Sequence, residues 1–168
     1  MSGFIELADH PRAAALAKLL CAHQQKITRD GIDLAWLGAF KPWDDAGINN
    51  GGWYTCGLKW QGKPLDGHDR TIAGRIAAGD DAIFNAGYSL MMPGAEIAHH
   101  VGYSSEVLRL HVGLVVPEGD CALIVGGEER RWESGEALLF DDTVLHSAHN
   151  RTGHLRLILL LDIAKGAP

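Results

Sequence analysis

From Ala86 onward, short apolar runs follow one another with turn-forming residues between them. They read AGYSLMMPG (86–94), AEIAHHVG (95–102), LRLHVGLVVPEG (108–119), CALIVGGEERRWESG (121–135), EALLFDDTVLHSAHN (136–150) and HLRLILLLDI (154–163). The turn signals PEGD, GGEE, ESGE and NRTG punctuate them at the spacing of an all-β sandwich or barrel. WYTCGLKWQG (53–62) reads as a further strand, and DRTIAGRIAAGDDAI (69–83) has room for a short helix. Near the start, DHPRAAALAKLLCAHQQ (9–25) predicts one helix. Asp9 or His10 can cap it, Pro11 suits its first position, and Leu16, Leu19 and Leu20 form its apolar stripe. Residues 30–52 lack a period and are expected to be mostly irregular. No parallel βαβ alternation is visible. The expected fold is mainly β: a single domain over 1–168, with a helical and irregular part (1–50) preceding a double-stranded β-helix of the cupin-like jelly-roll kind over 52–163.

Composition narrows the function classes. The chain of 168 residues is long enough to bury a real core. A net charge of −6 argues against a nucleic-acid partner, which needs a basic stripe. Cys21, Cys56 and Cys121 are odd in number and widely spaced, which fits a reducing, cytoplasmic setting better than a disulfide framework. No apolar run approaches the ~20 residues of a membrane span, and the first residues do not read as a signal peptide, so no membrane partner is expected. Oligomeric state is left open.

The candidate chemistry lies in the strands. In LRLHVGLVV, Leu108, Leu110, Val112 and Leu114 share one face; Arg109, His111 and Gly113 share the other. That second face suits either a barrel interior holding an anion or a solvated outer surface. A hairpin turning near Arg151 would set His146 opposite Arg156, aiming an imidazole and a guanidinium at one cavity. A guanidinium inside a barrel is costly unless it meets a buried anion, and its planar fork suits a carboxylate. His99 and His100 are adjacent, so only one of them faces inward. Two imidazoles with a carboxylate-binding arginine form the set that an Fe(II)- and 2-oxoglutarate-dependent oxygenase requires. HExxH is absent, which weakens a zinc-hydrolase reading.

The motifs HVGLVVP, W-x-x-G-x-x-L-x-FDD-x-x-x-H and LRLILLLDI resemble the aspartyl/asparaginyl β-hydroxylase family of iron and 2-oxoglutarate oxygenases. The resemblance is strong over 88–163, weak over 52–87 and not apparent over 1–50. It implies His100 and His146 as metal ligands, with Gly102 at the place where related oxygenases carry a third, carboxylate ligand. It implies Arg156 and Ser89 on the distal carboxylate of 2-oxoglutarate, Arg109 and His111 on its C1 carboxylate, and Trp53 as a pocket wall. Asp141 or Asp142 is either an acceptor orienting a metal-bound imidazole or an ordinary turn acid. Glu106 is a remote alternative ligand, and Trp132 fits a packing role. His10, His23, His68, His149 and His154 are expected at the surface or in turns. The implied activity is hydroxylation of an sp3 C–H with O2 as co-substrate, on a small-molecule, peptide or carrier-bound substrate. The alternatives are a halogenase using the vacant third position and a non-catalytic binding cupin.

Overall fold

The computed structural model describes residues 3–45 and 47–166. Two β-sheets face each other. Among the described residues, the larger sheet contains β1 (Phe4–Ile5), β2 (Lys41–Pro42), β3 (Trp53–Trp60), β4 (Lys63–Pro64), β5 (Ile83–Met91), β7 (Val107–Val115), β10 (Ala137–Phe140) and β12 (Arg156–Ala164). Its order is β1-β10-β7-β12-β5-β3-β2, with β4 paired to β3. The smaller sheet contains β6 (Ala95–His100), β8 (Cys121–Val125), β9 (Glu128–Arg131) and β11 (His146–Asn150), in the order β6-β11-β8-β9. The pairs between these named strands are antiparallel, and from β5 onward the chain passes from one sheet to the other at each step except β8 to β9, as in a jelly roll.

The apolar alternation decides which face goes where. Leu108, Leu110, Val112 and Leu114 of β7 pack outward, beneath Leu16, Leu20 and Ile27 from the helices. The opposite face points between the sheets, where His111 is buried. The strand is therefore an inner wall, and the solvated-surface reading of Arg109 and His111 does not hold.

Helix α1 spans Pro11–Ala22, and His10 Nδ1 caps it by accepting from Ala13 N. Contrary to the expected single helix followed by irregular chain, a second helix, α2, spans Gln24–Trp36. Asp30 and Gly31 look like turn residues in the sequence, yet both are buried inside α2. Asp30 accepts from Ile72 N at 3.0 Å and pairs with Lys26. Gly31 lets α2 approach Tyr88, since a Cβ there would sit 2.8 Å from its ring. Helix α3 spans Ile72–Ala78; the buried Lys59 ammonium donates to the carbonyls of Ala77 and Asp80 at its C-terminal end, where a cation is favoured.

The expected hairpin between His146 and Arg156 is not formed. Strand β11 pairs with β6 and β8, whereas β12 pairs with β5 and β7, so the chain changes sheets at NRTG. Asn150 pins this crossing: its side chain donates to the carbonyls of Met91, Met92 and His154. The expected strands at 121–135 and 136–150 are each two separate strands. GG at 126–127 splits β8 from β9, and DDTVL splits β10 from β11.

Candidate active site

A bulge aims the first histidine. His146 lies opposite His100, and Ala148 lies opposite Ile97, so β6 carries one residue more than β11 across this interval. Ile97 packs inward. Simple alternation would therefore turn His99 inward; the extra residue turns His100 inward instead. Ala98 N, within the bulge, donates to Ile48 O at 2.6 Å. His99 lines an outer groove.

The two imidazoles lie with ring centroids 4.2 Å apart. His100 Nδ1 is 2.8 Å from Ala98 O, and His146 Nδ1 is 2.8 Å from Val144 O. A carbonyl can only accept, so each Nδ1 carries the proton and each Nε2 is left with its lone pair. Burial first, and the Arg109 guanidinium nearby, push the His146 pKa down to about 4. The neutral, ligating form is thereby favoured.

Asp142 completes this edge of the cavity. Its carboxylate is fully buried, stands 3.2 Å from His146 Nε2 and 2.6 Å from Arg109 Nη1, and makes no well-aligned hydrogen bond. It fills the space beside Gly102, where an added Cβ would fall 1.6 Å from Asp142 Oδ2. The position left open by Gly102 is thus filled by a carboxylate reaching over from another segment. Imidazole lone pairs and an orphaned carboxylate that face one another without a shared proton suit a cation. Among the described residues, no group of three or more His, Cys, Asp and Glu meets metal-site geometry, so the imidazoles stand as a pair. Glu106 is exposed and lines neither the recess nor the pocket around them. Asp141 instead pairs with Lys165 and Thr143.

A cross-strand row holds Asp142 in place. Asn85, Asp162 and Arg109 are direct partners across β5, β12 and β7. Arg109 Nε and Nη2 donate to Asp162 at 2.8 and 3.2 Å, while Nη1 faces Asp142. Asn85 and Tyr103 complete the Asp162 shell, at 2.8 and 3.1 Å. The structure therefore places Arg109 on two carboxylates instead of leaving it free for a co-substrate.

Deeper in the barrel is a recess of about 40 Å³, room for roughly one carboxylate group. Arg156 forms its floor at 1% exposure, with no acidic partner among the described residues. Its Nη2 donates to Ser89 Oγ at 2.9 Å, its Nε has no partner, and its Cζ lies 4.7 Å from the Trp132 ring centre. Burial lowers its pKa to about 10. Trp53 Nε1 also donates to Ser89 Oγ, at 3.0 Å. Trp132 Nε1 donates to His111 Nδ1 at 3.2 Å, which puts the remaining imidazole proton on Nε2, a buried donor without a partner. Burial, then the charges of Arg109 and Arg156, holds the His111 pKa well below its ordinary value. Unpaired donors around an uncompensated cation suit an anion.

Sequence reasoning thus placed His100, His146, Ser89, Arg156, His111 and Trp53 around one connected cavity, although the sheet pairing of His146 differs. It missed Trp132, Asn85, Tyr103 and Asp162 as site residues. For Asp162 a signal existed: its even spacing from Arg156 puts both on one face of the strand.

The two-sheet barrel is a cupin-type jelly roll. Over 98% of this chain and 90% of the other, it is similar in fold to a Pseudomonas putida prolyl-4-hydroxylase (TM-score 0.56, 17% identity). It is also similar to a predicted oxalate decarboxylase of Thermotoga maritima (TM-score 0.53, 13% identity), over 75% and 92% of the two chains. The profile of the Aspartyl/Asparaginyl beta-hydroxylase family matches residues 22–166, and the chain belongs to that family. This match reaches further toward the N-terminus than the motifs suggested and takes in α2. Curated relatives include the aspartyl/asparaginyl beta-hydroxylase of Mus musculus, 38% identical over 76 residues (45% of this chain, 10% of that protein). Others are aspartate beta-hydroxylase domain-containing protein 2 of Xenopus tropicalis, 36% identical over 114 residues (63% and 30%), and the ornithine lipid ester-linked acyl 2-hydroxylase of Rhizobium tropici, 40% identical over 80 residues (46% and 28%). The matched segments span less than a third of these relatives. Among the described residues, no helix is long and apolar enough to cross a membrane.

Proposed function

We propose that this chain is an Fe(II)- and 2-oxoglutarate-dependent dioxygenase that hydroxylates an sp3 C–H bond. The observation that carries the reading is Arg156: a buried guanidinium with no carboxylate of its own, backed by Ser89, at the foot of a recess that also holds two imidazoles with free Nε2 atoms. His100 and His146 would hold the iron. When bound, ferrous iron with 2-oxoglutarate and O2 supplies the oxidising power for C–H hydroxylation, with succinate and CO2 as by-products. Arg156 and Ser89 would bind the distal carboxylate, and His111 Nε2–H would donate to an oxygen of the co-substrate. The Asp162–Arg109 pair orients Asp142 beside the imidazoles. Trp53, Phe140 and Trp132 exclude water from the recess.

The Asp142 carboxylate beside Gly102 disfavours the halogenase alternative, because it puts negative charge where halide would bind. The test is substrate-stimulated succinate release across amino acids, short peptides and carrier-bound acyl groups, with product mass measured in the presence of chloride. His146→Ala is expected to abolish release. A wild-type protein that neither binds 2-oxoglutarate nor forms succinate would overturn the reading in favour of a non-catalytic cupin.

A further inference from the structure

The recess opens into a larger pocket of about 490 Å³, sharing Trp53, Ser89, His100, Arg109 and Leu160 with it. This outer pocket is where the substrate of the proposed oxygenase would lie, and the inference below rests on that reading. Its walls are mainly apolar. Trp43 stacks on Trp53 with ring centres 4.8 Å apart. Trp60, Leu65, Val101 and Tyr103 stand exposed around the pocket.

The charges point the same way. Among the described lining residues, the cations are Lys59 and Arg109. Lys59 is 3% exposed, and its ammonium is held by the Ala77 and Asp80 carbonyls, while Arg109 is shared between Asp142 and Asp162. Against these two positive charges stand three carboxylates, Asp45, Asp142 and Asp162, so the wall is net negative by one. A ferrous ion and a 2-oxoglutarate dianion cancel each other, and the further positive charge, Arg156, lies at the floor of the inner recess and not in this wall. A substrate carboxylate entering this pocket would meet a like-charged wall and no unpaired ammonium or guanidinium. An uncharged hydrocarbon group would meet stacked indoles and aliphatic side chains.

We propose that the reacting part of the substrate is an uncharged hydrocarbon group, on a molecule that brings no carboxylate into this pocket. An aspartyl side chain, the group in the family's name, is a poor match for these walls. Trp53 then serves two cavities: its face lines the substrate pocket while its Nε1–H holds Ser89 beneath Arg156.

The test uses the manganese-loaded protein saturated with 2-oxoglutarate, so that Arg156 is occupied and no turnover occurs. Octanamide, octylamine, octanoate and N-acetylaspartate amide are titrated and followed by tryptophan fluorescence, since three of the five tryptophans line the pocket. Octanamide and octylamine are expected to bind at least about tenfold more tightly than octanoate or the aspartate derivative. Leu65→Lys, which places a cation at a partly exposed wall position, is expected to raise octanoate affinity about tenfold. Octanoate or the aspartate derivative binding wild type as tightly as octanamide overturns the proposal, and so does failure of all four to bind. If 2-oxoglutarate does not bind but the ranking of the probes holds, the oxygenase reading falls and the pocket's preference stands.

Discussion

Replacing Arg156 by methionine should change two properties in opposite directions. The guanidinium is buried without a counter-charge, and its pKa near 10, against an ordinary 12.5, corresponds to an electrostatic cost of about 3 kcal/mol in the metal- and ligand-free protein. Methionine removes that cost and fills similar space. The lost hydrogen bonds to Ser89 and the contact with Trp132 offset about 1–2 kcal/mol. The variant is therefore expected to be as stable as wild type or up to about 2 kcal/mol more stable, by urea unfolding. Its affinity for 2-oxoglutarate should collapse, because a buried charge-assisted pair contributes about 2–5 kcal/mol, or roughly thirtyfold to several-thousandfold in Kd. Calorimetry on the manganese-loaded protein measures that loss. The reasoning fails if Arg156→Met binds 2-oxoglutarate within about threefold of wild type, or if it unfolds far more easily while binding is kept. The second result would make Arg156 a structural residue.

Gly102→Ala would drive a methyl group into the Asp142 carboxylate, so manganese affinity is expected to drop at least about tenfold by calorimetry; unchanged affinity would separate Asp142 from the metal edge. His146 has a folded-state pKa of about 4 against an ordinary 6.5, so the unfolded chain takes up its proton first as pH falls. Stability of the metal-free protein should be complete above about pH 6.5 and decline toward pH 4 by roughly 3 kcal/mol from this residue; equal urea midpoints at about pH 7.5 and 4.5 would contradict it. Gly31→Ala should lower the melting temperature despite the better helix propensity, because overpacking against Tyr88 at about 1–3 kcal/mol outweighs a gain of about 1 kcal/mol.

The parts of this protein legible in its sequence are those that depend on period two. Alternation along 108–116 separated the helix-covered face from the wall bearing Arg109 and His111, and that separation holds. The motif FDD-x-x-x-H marked both His146 and the carboxylate beside it. What escaped depends on partners distant in the chain. Asp30 and Gly31 read as breakers because the contacts that bury them, with Ile72 and Tyr88, lie some forty or more residues later. The change of sheet at NRTG has no local mark that distinguishes it from a hairpin. Nothing near Arg109 in the chain reveals that Asp162 and Asp142 share its guanidinium. The outer pocket gathers Trp43, Trp60 and Tyr103 from segments that do not adjoin one another in the chain.

The kink in β6 gives the adjacent histidines a meaning of their own. If the strand straightened with its length unchanged, His99 would rotate into the barrel. If Ala98 were lost, His100 would stand two places beyond Ile97 and still face the interior. Only the first change calls on the second histidine: a solitary His100 would turn outward when the kink is lost, whereas the doublet exchanges one inward imidazole for the other.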